Sequence, residues 1–154
     1  MTARPWGDRQ IRRARRDESE AVADLWLRSR KAATPDIPPP AHSDAEVVDW
    51  FQDAVFTTRE VWVIGPHRRP VAMLVLHDDW IEQLYVAPGH QRQGHGSRLV
   101  AFAQSRGSQL RLHTFLTNRP ARALYERHGF TPAGPPSSDN EEGMPALCYR
   151  WRAG

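Results

Sequence analysis

Apolar and polar residues along this chain follow two periods, and the change from one to the other marks where strands and helices begin. Residues 10–16 read as a first strand. Asp17 with Glu20 resembles a capping box and opens a helix through about Ala32, with Val22, Leu25, Trp26 and Ser29 on its inner face. The proline-rich stretch 34–42 excludes helix and predicts a stiff loop. Ser43 with Glu46 is a second capping box, starting a helix that turns Val47, Val48, Phe51 and Val55 inward. Residues 60–64 and 71–77 are β-rich runs around the turn 65–70, the signature of a hairpin. Residues 80–86 form the next strand, stopped by Pro88 and Gly89. A helix over about 96–106 ends at Gly107, and 109–116 is another strand. Asn118, Arg119 and Pro120 open a helix through about His128, closed by Gly129. A polar loop, 135–143, precedes a last strand over 146–151.

The element order β-α-α-β-β-β-α-β-α-(β)-β predicts an α/β domain with a mixed central sheet and about four helices. With 154 residues, 40% hydrophobic and 25% charged, the chain suits one soluble domain over 10–154, preceded by an N-terminal tail over 1–9. No apolar run is long enough to span a membrane, and the first residues lack the apolar core of a signal peptide. Cys148 is the only cysteine, so no intrachain disulfide forms and a cytoplasmic location is the default expectation. The net charge of +3 comes almost entirely from arginine, but the arginines are interleaved with acids. The dense run Arg12, Arg13, Arg15 and Arg16 reads as a strand with solvated side chains. Neither nucleic acid nor membrane is an expected partner. A basic surface suits a polyanionic small molecule equally well.

Between the strand 80–86 and the following helix stands Gln91-Arg92-Gln93-Gly94-His95-Gly96. Glycines let backbone N–H groups approach an anion, and a helix N-terminus adds unpaired donors and the positive end of its dipole. A strand, a basic glycine turn and a helix start therefore suit a phosphate. A Walker loop would end in Gly-Lys-Ser/Thr, but here Gly96 is followed by Ser97 and Arg98, and Lys31 is the only lysine. A dinucleotide fingerprint would need a third glycine where Leu99 stands. A plain tight turn is the other reading of two glycines alone. A phosphate ligand belongs where two neighbouring strands diverge, beside Gly94.

With its elements placed, the chain resembles the GNAT superfamily of acyl-CoA-dependent N-acyltransferases. Leu84-Tyr85-Val86-Ala87-Pro88 looks like the family's central strand. Gln91 to Gly96 fits its Gln/Arg-x-x-Gly-x-Gly/Ala pyrophosphate loop. Asn118 to Phe130 fits its Asn-x-x-Ala-x-x-Leu/Phe-Tyr-x-x-x-Gly-Phe segment. The resemblance covers about residues 10–152. It implies a single-domain GNAT-like fold with a splayed central strand. It also implies direct transfer of an acetyl group from acetyl-CoA to a primary amine of a small molecule or amino-acid-like acceptor, without an acyl-enzyme or a metal. A homodimer through the last strands is compatible with it. A coenzyme A-binding sensor without catalysis is the alternative, and it would lack a working acid and base.

The resemblance assigns cofactor binding to Leu84, Tyr85, Val86, Gln91, Arg92, Gln93, Gly94, His95, Gly96, Ser97 and Asn118. Backbone groups of Leu84 and Val86 would take the acetyl carbonyl and the pantetheine arm, with the Leu84 N–H as oxyanion donor. Backbone N–H groups from Gln93 to Ser97 would hold the pyrophosphate, with charge added by Arg92 and Arg98. Asn118 would touch the pantetheine region, or simply cap its helix. Tyr125 is the candidate general acid, a phenol of pKa about 10 matched to the departing thiolate, or else a core tyrosine. Glu82 is the first candidate base, expected on one strand face with Leu84 and Val86 and otherwise an exposed strand glutamate. His113 is the second: a base, a substrate contact, or a histidine packed on Trp80. Related protein N-terminal acetyltransferases commonly carry glutamate there, so that substrate class does not carry over. Asp78 and Asp79 are expected at the mouth of the site. Trp26, Arg30, Ile37, Pro38, His42 and Trp50 wall the acceptor side, where Arg30 meets a substrate carboxylate or is solvated. Asp139, Glu141 and Glu142 attract a cationic amine or are solvated.

Overall fold

Ala72, Met73, Leu74, Val75 and Leu76 form an unbroken apolar run, and all five are buried, as in a strand covered on both faces. A computed structural model describes residues 10–154, so the expected tail 1–9 lies outside the described residues. The buried run belongs to β3 (Ala72–His77) of a seven-stranded sheet. The other strands are β1 (Ile11–Arg13), β2 (Glu60–Ile64), β4 (Trp80–Val86), β5 (Gln109–Phe115), β6 (Thr131–Pro132) and β7 (Ala146–Arg152). Their order is β1-β2-β3-β4-β5-β7-β6, and β4 with β5 is the parallel pair. The predicted mixed sheet is present.

Four helices cover the sheet. On one face lie α1 (Ser19–Ala32) and α2 (Asp44–Trp50), which continues through a π-helical turn, Phe51–Val55, and a short last turn, Phe56–Thr58. Val22, Leu25, Trp26, Phe51 and Val55 pack there against Val61, Val63, Met73 and Val75. On the other face, α3 (His95–Ser105) and α4 (Arg119–Arg127) bury Leu99, Val100, Ala103 and Tyr125 against Leu74, Leu76, Ile81 and Leu112. The Ser43 hydroxyl accepts from the Glu46 N–H at 3.2 Å and the Glu46 carboxylate accepts from the Ser43 N–H at 3.1 Å, so this capping box forms as expected.

The start of the chain differs from expectation. β1 is three residues long rather than seven, because Arg15 leads into a 3₁₀ turn over Arg16–Glu18. The capping carboxylate there is Glu18, which accepts from the Arg15 N–H at 2.8 Å, not the expected Asp17 and Glu20 pair. Arg12 is not a solvated strand arginine either: its guanidinium grips Glu18 through two bonds of 2.9 and 2.7 Å. The Arg68 N–H adds a fourth bond to the same carboxylate at 2.8 Å.

Glu18 is fully buried, and burial alone would raise its pKa. Arg12 and the two backbone N–H groups outweigh that and hold the carboxyl at about 2, against an ordinary value of 4.5. A depressed carboxyl contributes stability above its ordinary pKa and loses it as pH falls through the folded value. Glu18→Gln should therefore cost about 3 kcal/mol at neutral pH. In urea melts, the gap between wild type and variant should shrink as pH drops from 4.5 toward 2. A gap that stays constant over that range would contradict the assignment.

Candidate active site

β4 and β5 pair only at Trp80 with Arg111 and at Ile81 with Leu112, and then part. The narrow end of this V is clamped. The Asp79 carboxylate accepts from Arg111 at 3.0 and 3.2 Å and from Gln109 at 2.8 Å, and the Arg111 N–H donates to the Asp79 carbonyl at 2.8 Å. Arg111 also lies over the Trp80 ring at 4.6 Å. Asp79 thus locks the closed end of the strand pair instead of standing at the mouth of the site.

A β-bulge decides what β4 presents to the gap. Leu76 of β3 opposes Ile81 and Val75 opposes Gln83, so Glu82 is an extra residue on β4. In a strand, successive backbone groups point to opposite sides. The Asp79 carbonyl points to β5, so without an insertion Ile81, Gln83 and Tyr85 would do the same. The extra residue reverses the alternation. Ala87 donates to the Val71 carbonyl on the β3 side at 2.8 Å, which leaves the backbones of Val86 and Leu84 turned into the gap. Tyr85 spends its backbone on Met73 of β3.

The bulge also corrects the expected placement of Glu82. Leu84 and Val86 pack toward α3 and α4, whereas Glu82 faces the α1 and α2 side. There it accepts from Arg59 Nε at 3.0 Å and lies 3.3 Å from His77 Nδ1. Next to it, Gln83 accepts from the Trp26 indole at 2.9 Å. Arg59 and His77 went unnoticed in the sequence. His77 ends β3 opposite Trp80, and only the tertiary fold brings Arg59 to Glu82.

The gap opens into a cleft of about 430 Å³ that gathers Glu82, Leu84, Tyr85, His113, Asn118 and Tyr125. Tyr125 is 6% exposed, and burial raises its pKa well above the ordinary phenol value. It stays protonated, as a proton donor must, but it is a weaker acid than an unperturbed phenol. Burial raises Tyr85 as well, against the opposing charge of Arg30. His113 stacks on Trp80 at 4.9 Å, and burial lowers its pKa, which favours the neutral imidazole. Asn118 Oδ1 accepts from the Ala121 N–H at 3.3 Å and so caps α4, while the residue still lines the cleft.

The glycine turn lies outside that lining, at the start of α3. Gly94 sits at φ +81° and has no side chain to cap the N–H groups of the first turn. Arg92 also adopts a left-handed conformation, at φ +63°. The His95 ring is buried and ties the turn together: Nε2 lies 3.2 Å from Gln93 Oε1 and Nδ1 lies 3.3 Å from Arg98 Nη1. A Cβ on Gly96 would sit 3.2 Å from Leu124, so this glycine lets α3 approach α4. Beyond Gln83, a second cavity of about 490 Å³ lies between Trp26, Trp50, His42, Glu46, Glu141 and Glu142.

The acetyltransferase (GNAT) family profile matches residues 20–130. The peptidyl-lysine N-acetyltransferase YiaC of Escherichia coli K12 is 28% identical over 121 residues, covering 78% of this chain and 82% of that protein. The solution structure of apo-form YjaB from E. coli superposes with a TM-score of 0.73 at 25% identity, covering 94% of this chain and 98% of that one. The structure of yncA, a putative acetyltransferase from Salmonella typhimurium with acetyl-CoA, shares the fold with a TM-score of 0.67 at 18% identity, covering 94% of each chain.

Nothing lies within 4 Å of a Cβ built on Gly94, so only backbone strain opposes a side chain there. Gly94→Ala should lower stability by about 1 kcal/mol in a urea melt. A loss near 3 kcal/mol would mean that the turn is packed more tightly than this geometry allows.

Proposed function

The chain belongs to the acetyltransferase (GNAT) family, and on that premise we propose that it moves an acetyl group directly from acetyl-CoA to the primary amine of a small, amino-acid-like acceptor. The observation that carries this reading is the V between β4 and β5, with the Leu84 and Val86 backbones turned into it. The Leu84 N–H is suited to the acetyl carbonyl, where it would stabilise the oxyanion as the amine attacks. Val86 would extend the same edge along the pantetheine arm. The uncapped first turn of α3, from Gln93 to Ser97, would take the pyrophosphate. Gln91, Arg92 and Arg98 flank that turn and would add polar contacts and charge to it. Asn118 would use the end of its amide that the helix cap leaves over.

As the tetrahedral intermediate collapses, the carbon–sulfur bond breaks and the thiolate needs a proton. Tyr125 lines the cleft from α4, burial keeps it protonated, and we assign it that donation. The amine must lose a proton on the opposite, acceptor side. Glu82, backed by His77 and Arg59, faces that side and would accept it through water. His113, stacked on Trp80, would serve as a wall of the cleft. A cavity of about 490 Å³, bridged by the Glu141 contact to His42, suits a small acceptor. The second reading is a lysine side chain of a protein, favoured by the name of the E. coli relative.

A coupled assay of thiol release and acceptor acetylation, run over free amines, amino acids and lysine peptides, tests the reading. Tyr125→Phe should lower kcat about 100-fold while acetyl-CoA still raises the melting temperature. Unchanged turnover in that variant would remove Tyr125 from the mechanism. Glu82→Gln should lower kcat about 100-fold with the same retained shift.

A further inference from the structure

The acceptor side holds a buried cation that the transfer chemistry does not use. Arg30 is 5% exposed, and its guanidinium lies over the Trp26 ring at 4.8 Å and 5.9 Å from the Phe115 ring. Its Nη2 donates to the Pro38 carbonyl at 3.0 Å. The Glu142 carboxylate is 3.6 Å away, beyond hydrogen-bond reach. The Tyr85 hydroxyl also meets the guanidinium, but Nε is buried without a hydrogen-bond partner among the described residues. A buried, charged donor in this state calls for an oxygen acceptor.

Position adds a second argument. Arg30 lines both the catalytic cleft and the outer cavity, and so do Gln83 and Glu142. An acceptor seated in the outer cavity with its amine toward Glu82 passes this junction. Farther out in the cavity, Glu46 and Glu141 share one imidazole, His42, at 3.6 and 3.1 Å. The Trp26 face that would attract a substrate cation is covered by Arg30 itself. At the junction itself the unsatisfied group is the Arg30 Nε, a donor suited to an anionic oxygen.

We propose that Arg30 anchors a carboxylate of the acceptor through its Nε and Nη2 edge, so that the preferred acceptors are aminocarboxylates. The proposal rests on the acetyl-transfer reading above. A guanidinium edge offers two parallel donors to the two oxygens of one carboxylate. Glu142, on the loop before β7, holds the neighbouring anionic position loosely, and an incoming carboxylate would displace it. Glu142 therefore competes with the acceptor.

The test compares each free amino acid with the amine that lacks its carboxylate, and with a lysine-containing peptide, under saturating acetyl-CoA. Wild type should favour the aminocarboxylate by at least about tenfold in kcat/KM. Arg30→Gln should collapse that ratio, with the loss falling in the KM of the aminocarboxylate. Glu142→Gln should lower the same KM, a change that a purely structural ion pair would not produce. A thermal shift with acetyl-CoA checks that each variant is folded. If Arg30→Gln does not fold, the wild-type ratio and the Glu142→Gln effect still decide the matter. Equal kcat/KM for the two members of each pair, or a preference for the peptide, would overturn the proposal and leave acetyl transfer standing. Acetyl-CoA binding with no turnover of any amine would overturn both.

Discussion

Everything at this site depends on two parallel strands that pair for two residues and then separate. Backbone hydrogen bonds normally hold such strands together, so parting them exposes polar groups at a cost of about 1–3 kcal/mol each where they are buried. The fold meets this cost locally. The Asp79 and Arg111 clamp fixes the closed end of the V, and the bulge at Glu82 keeps β4 paired with β3 while its free edge faces the gap. β5 is secured from its other side by seven residue pairs with β7. The opening is thus built into the sheet rather than left to a flexible loop.

The same bulge divides the labour. By turning Glu82 to the α1 and α2 side while Leu84 and Val86 lean on α3 and α4, it sets a carboxylate on one side of the gap. On the other side it sets a backbone edge that leads to an uncapped helix start. Tyr125 reaches the cleft from α4 and is buried enough to stay protonated, as the proposed proton donor must. The α1 and α2 side is closed by contacts between distant segments, with Glu141 meeting His42 and Glu142 near Arg30.

Local signals in the sequence were legible and non-local ones were not. The Ser43 and Glu46 box lies within four residues, and β2 spans the expected 60–64. The glycine turn was readable because the left-handed Gly94 and the helix after it are neighbours in sequence. For Asn118 the helix cap, one of two readings, is what forms, and for His113 it is the stack on Trp80. The bulge was invisible because β3 sets it: nothing within residues 80–86 says that Ile81 and Gln83 will oppose adjacent residues. Period-two alternation therefore put Glu82 on the wrong face. No local signal singles out Glu18, and for Arg30 a substrate contact and a solvated side chain stay open; their burial depends on Arg12, Arg68, Pro38 and Phe115, none of them adjacent in the chain.

The central claim is that the inserted residue at Glu82 turns the Leu84 and Val86 N–H groups into the cofactor's path. Residue-resolved amide exchange by NMR, with and without acetyl-CoA, tests it most directly. The account predicts fast exchange at Leu84 and Val86 in the free protein and strong protection of both by acetyl-CoA. Gln83 and Tyr85, paired with β3, should exchange slowly in both states. Slow exchange at Leu84 and Val86 without ligand, or no change on adding acetyl-CoA, would contradict it.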